Sequence, residues 1–136
     1  NSKKMEFLLI EFEDASEKSI FKGNGKKSTP EWASRFEHGY SQVMDWLWKI
    51  DDLKRTDTLD IAFGGRVGNY NGMLIIGRDE FVKDDCKSRL RWRVENTRIN
   101  SKAIICLTYD ELYNLLYDRI NDMVAVNEME QETSNG

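Results

Sequence analysis

Glu11 and Glu13 stand two residues apart at the end of the run Leu8-Leu9-Ile10-Glu11-Phe12-Glu13-Asp14. If that run is a strand, residues two apart share a face, so both carboxylates project together while Phe12 points the other way. Like charges held that close repel one another, so the pair is either fully solvated or set to receive something positive. Further along, Gln42 and Trp46 are four apart, with His38 one turn before Gln42. On a helix that spacing places them on one ridge. Lys22, Lys26 and Lys27 surround the glycines of Gly23-Asn24-Gly25, and Arg78 follows an apolar run. Such cations can touch backbone phosphates without reading a base sequence, although most charged loop residues are only solvated. Gly23-Asn24-Gly25-Lys26-Lys27 lacks the spacing and the Ser/Thr of a phosphate-binding P-loop.

The elements that must hold these residues are legible in the apolar pattern. Met5 to Phe12 reads as a strand with apolar residues on both faces, as inside a covered sheet. Residues 15–28 read as a polar loop. Ser28-Thr29-Pro30-Glu31 offers a hydroxyl cap, a first-turn proline and an early acid, which predicts a helix start. Trp32, Phe36, Tyr40, Val43, Leu47 and Ile50 then recur at steps of three and four, the apolar stripe of that helix. After a charged connection, Leu59 to Phe63 reads as a short strand and Gly64-Gly65 and Gly68-Asn69-Tyr70-Asn71-Gly72 as turns. Met73 to Ile76 reads as a second buried strand.

Much of the segment from Asp79 to Thr97 reads as helix, although Arg89, Arg91 and Arg93 alternating with Leu90, Trp92 and Val94 also suits a half-exposed strand. Ala103 to Leu107 reads as a third buried strand. Thr108-Tyr109-Asp110-Glu111 matches a capping box. It opens a helix expected to run to about Val126, with Tyr109, Leu112, Leu115, Leu116, Ile120 and Val124 facing inward. Residues 1–126 are thus expected to form one domain and 127–136 a flexible acidic tail. Strands alternating with helices imply an α/β layered fold with a sheet parallel at least in part.

Composition narrows the function classes. The 136 residues suit one domain with a real core, and four Trp, six Phe and five Tyr supply large groups to fill it. The formal net charge of −4 argues against a general nucleic-acid coat protein. It leaves room for an enzyme acting on nucleic acid through local basic patches and a bound metal. Cys86 and Cys106 lie far apart, without disulfide or zinc spacing, and Cys106 sits in an apolar run as a small buried thiol. No apolar run approaches the ~20 residues of a membrane span and no signal peptide is visible, so an intracellular, cytoplasmic protein is expected.

Ile10-Glu11-Phe12-Glu13, then Lys18-Ser19-Ile20-Phe21-Lys22-Gly23-Asn24-Gly25, then Gln42-Val43-Met44-Asp45-Trp46, taken in order, resemble the nuclease domain of the Shedu anti-phage defence proteins, part of the broad PD-(D/E)XK nuclease superfamily. Gly72-Met73-Leu74-Ile75-Ile76-Gly77-Arg78 and Leu107-Thr108-Tyr109-Asp110-Glu111-Leu112 fit the second half of that domain, so the resemblance spans roughly Leu8 to Ile120.

It implies a restriction-endonuclease-like core with a mixed central sheet flanked by helices, and a metal-dependent DNA endonuclease assembled as a homo-oligomer. The family pattern sets an acid and, two residues later, a lysine at the end of a core strand, with a glutamine on the following helix. Glu11 matches the acid and Gln42 the glutamine, whereas Glu13 stands where lysine is usual. The family's upstream acid has no counterpart, so either the first elements of the core lie outside these residues or the site is incomplete.

On this resemblance Glu11 and Glu13 would hold Mg2+ or Mn2+, which binds through one or two carboxylates plus waters and phosphate oxygens. Gln42 would orient the attacking water or a phosphate, and Lys22, Lys26, Lys27 and Arg78 would contact the DNA backbone. The rival reading is a nuclease fold without catalysis that binds DNA or mediates assembly.

Overall fold

A computed structural model describes residues 4–23 and 29–135. Strand β1 (Met5–Phe12) pairs in parallel with β2 (Val67–Ile75), and β2 in parallel with β3 (Ile105–Leu107), giving the order β1-β2-β3. All three described strands are parallel, so the antiparallel part of the expected mixed sheet is not seen among the described residues. Between β1 and β2 come α1 (Ser34–Leu53) and α2 (Thr58–Phe63); between β2 and β3 comes α3 (Asp84–Asn96); α4 (Tyr109–Ser134) closes the chain.

The stripe read from sequence forms the core. Phe36, Tyr40, Val43 and Leu47 are buried on α1 against Tyr70, Leu74 and Ile76. Gly72, expected in a turn, lies instead inside β2. A Cβ there would meet Val43 Cγ1 at 2.3 Å, so the bare backbone lets α1 settle onto the sheet. The helix begins at Ser34, later than the Ser28 cap predicts, because the preceding residues are drawn into an extended bridge. The Lys22 amide donates to Glu31 O and the Ala33 amide to Ile20 O, while Trp32 stacks between Phe21 and Phe36 at 4.5 and 4.9 Å. Aromatic packing outweighs the local start signal.

Leu59 to Phe63, expected as a strand, forms α2. Its alternation misled, because Leu59 and Phe63 are four apart and share a helical face, whereas Ile61 between them is 79% exposed. Gly64 at φ +68° ends the helix in the left-handed region. Helix α3 resolves the ambiguity at Arg89–Val94 in favour of a helix. It lies beside α1, because the Arg93 guanidinium spans Trp32, Phe36 and Tyr40 and forms a two-pronged pair with Glu37 at 2.7 and 2.8 Å. Both helices therefore cover the same sheet face.

Two burial expectations fail for one reason. The far sheet face, expected to be covered, leaves Leu8, Ile10 and Phe12 exposed because no described helix lies over it. The residues of α4 expected inward, Leu115, Leu116, Ile120 and Val124, are likewise exposed, and Tyr109 and Leu112 only half buried. After its first turn α4 leaves the domain, and it stays helical through Ser134 rather than ending near Val126.

Candidate active site

The carboxyl ends of the parallel strands gather the polar residues, as is usual for ligand sites in such sheets. On β1, Phe7, Leu9, Glu11 and Glu13 alternate onto the face toward α1. The Cα partners Glu11 and Leu74 place Glu11 beside a core residue of β2. The two carboxylates thus do share the inward face, Glu11 half buried and the Glu13 side chain only 7% exposed.

Gly39 makes that burial possible. A Cβ at position 39 would lie 2.8 Å from Glu13 Cγ and 2.7 Å from Leu74 Cδ1, so only glycine lets α1 approach the end of β1 so closely. On the flank of α1 beside it, Arg35 Nη1 stands 3.5 Å and His38 Nε2 4.0 Å from the Glu13 carboxylate. Tyr109 donates its hydroxyl to the Glu13 carbonyl, tying the start of α4 to the same strand end.

Gln42, half buried, follows His38 by one turn on that flank. Glu13 faces residues 35–39 of α1, and Gly72, the partner of Leu9, faces Val43 and Leu47. Glu11 lies between those two levels of β1, and Gln42 lies between the same two levels along α1. Glu11 and Glu13 thus share the side of the sheet that α1 covers. Arg35, Gly39 and Tyr109 were missed. Only Gly39 carried a readable signal, a glycine interrupting an apolar helical stripe, which often marks a close approach.

The phosphate-contact candidates divide. Arg78 is held by Asp110 in a two-pronged pair at 2.9 and 3.0 Å, and the carboxylate raises its pKa. That pair, together with the Asp79 amide, lowers the Asp110 pKa. A shallow concavity of about 540 Å3 opens here between Ala15, Arg78, Tyr109 and Tyr113. Lys22 is on the surface, 3.5 Å from Glu31. Lys26 and Lys27 lie outside the described residues.

For a metal, the donor set is small. Among the described residues no three His, Cys, Asp or Glu side chains are grouped to hold an ion. Glu11 has no ion-pair partner among the described residues, while Glu13 is already faced by Arg35 and His38. Two carboxylates on one face meet the minimum that Mg2+ takes from a protein, the rest of its shell being water and phosphate oxygens.

A model of the C-terminal region of the Shedu protein SduA matches residues 1–113 of the chain. No curated protein matches it. Among the described residues no helix is long and apolar enough to cross a membrane.

Proposed function

The chain belongs to the Shedu SduA C-terminal family, and from that premise we propose that it is a metal-dependent DNA endonuclease domain of cytoplasmic antiviral defence, built on a PD-(D/E)XK core and working as a homo-oligomer. The observation that carries the proposal is the pair Glu11 and Glu13 on the inward face of β1, the face that α1 with Gln42 covers. Glu11 and Glu13 would hold Mg2+ or Mn2+, which when bound stabilises charge on the phosphate and acidifies water. Gln42 can accept or donate a hydrogen bond and so orient the attacking water or a phosphate oxygen. With Glu13 where lysine is usual in the family, general-base work would fall to Glu13 or to metal-bound hydroxide. Arg35, 55% exposed beside Glu13, is placed to meet an anionic backbone as it enters. Lys22, Lys26 and Lys27 would extend that contact to DNA.

A second reading draws on a specific observation. Arg35 and His38 already offset the charge of Glu13, as a structural carboxylate needs and a metal ligand does not. On that reading the domain keeps the nuclease fold but only binds DNA or mediates assembly. Titration calorimetry with Mn2+ separates the two. Endonuclease function requires a saturable heat that Glu11→Gln abolishes; a binding-only module gives none.

A further inference from the structure

Helix α4 is the least settled element of the molecule. From Tyr113 to Ser134 every residue is exposed, including Leu116, Tyr117, Ile120, Met123 and Val124. At 1.5 Å per residue that length reaches roughly 33 Å from the domain. Tyr113, Leu116, Ile120 and Met123 follow one another at steps of three, four and three, a continuous apolar seam. In proteins most helical stability comes from packing an apolar face against a partner, and an uncovered stripe of such size marks an interaction surface. The helix is also strongly acidic. Asp110, Glu111, Asp118, Asp122, Glu128, Glu130 and Glu132 stand against the single Arg119, seven negative charges and one positive.

The opposite chemistry lies on the same chain. Between α3 and β3 runs a groove of about 310 Å3 with Leu90, Val94 and Ile105 in its floor and Lys87, Arg91 and Arg98 on its rim. None of those three cations has an ion-pair partner among the described residues. Glu95 is the one acid on the α3 side, and Glu111, at the mouth, is engaged by the Thr108 amide and hydroxyl. An apolar floor under a cationic rim fits an acidic amphipathic helix, the helix-in-groove mode of recognition. Because Glu111 lines the groove, α4 springs from its rim. A two-fold axis beside that root would set each copy's α4 against the other's groove, an isologous contact.

We infer that α4 of one chain docks in the α3–β3 groove of a second copy, and reciprocally. The inference gives an interface to the self-association in the preceding reading and is independent of whether the domain cuts DNA.

Light scattering after gel filtration tests it on the 136-residue chain. At about 100 µM and low salt the expected mass is twice the 15.9 kDa of one chain. Salt should dissociate it, since part of the attraction is ionic. Leu116→Glu with Ile120→Glu on α4, and Lys87→Glu with Arg91→Glu on the rim, change only exposed residues and should each return the mass to one chain. Carbodiimide treatment of a mixture of these two variants should give a cross-linked heterodimer, because one intact α4 still meets one intact groove. A wild-type chain at the mass of a monomer would overturn the inference. So would a rim variant that stays dimeric while the α4 variant dissociates, which would mean that α4 pairs with itself. An α4 variant that stays dimeric, or a mixture without the heterodimer, would overturn it as well. Glu11→Gln should keep the wild-type mass whatever its effect on cutting, so failure of the nuclease reading leaves a different signature.

Discussion

At the residue scale, close approaches decide what the site can be. Gly39 sits where a methyl would meet both Glu13 and Leu74. Alanine in a helix interior is favoured over glycine by about 1 kcal/mol, whereas overpacking a filled core costs about 1–3 kcal/mol. Gly39→Ala should therefore destabilise by about 1 kcal/mol net and displace the Glu13 carboxylate; a thermal melt that rises would show that the contact is slack. Gly72→Ala meets Val43 Cγ1 at the far shorter 2.3 Å and receives no helical compensation. A loss of about 2 kcal/mol or more is expected by denaturant titration. Cys106 offers a chemical check. Desolvation raises its thiol to about 12, so little thiolate forms near neutral pH although the residue is only partly buried, at the α3–β3 groove. Mass-mapped alkylation at pH 8 should label it slowly in the folded chain; labelling as fast as in the unfolded chain would contradict the raised pKa. Sequence alone exposed the Glu11/Glu13 pairing, because alternation is geometric. It hid Arg35 and Tyr109, whose roles arise only when α1 and α4 converge on the end of β1.

At the scale of elements, periodicity succeeded where a long stripe met a long partner. The stripe of α1 and the capping box of α4, with the Thr108 side chain accepting from the Glu111 amide, were both readable. It failed where tertiary contacts outweighed local signals: α2 was too short for its period to show, and β2 absorbs two glycines that read as a turn. The α1–α3 seam shows what holds the helical layer. Arg93 lowers the Glu37 pKa chiefly through their hydrogen bonds, so the carboxylate is more acidic in the folded than in the unfolded chain. The pair's contribution is present at neutral pH and is lost as the pH falls below about 4.5, once Glu37 is protonated. Because Glu37 is half exposed, the contribution is small, about 1 kcal/mol or less. Glu37→Gln should lower stability at pH 7 and narrow its gap to wild type by pH 3; a gap that widens on acidification would place the effect elsewhere.

At the scale of the whole molecule, a three-stranded parallel sheet carries helices on one face and leaves apolar residues bare on the other and along α4. Sequence reading recovered the α/β class and the family. It assumed that every apolar stripe is buried within one chain, and so placed the α4 stripe inside. A stripe has the same spacing whether it faces its own core or another surface. The proposed chemistry rests on Glu11, the inward carboxylate without an ion partner among the described residues. The most direct measurement is nicking of supercoiled plasmid with Mg2+ or Mn2+, comparing the wild-type chain with Glu11→Gln and with the exposed control Lys49→Ala. Metal-dependent nicking that falls on the order of a hundredfold in Glu11→Gln and persists in Lys49→Ala is expected. No metal-dependent nicking by the wild-type chain, or equal loss in both variants, would contradict a nuclease centred on Glu11.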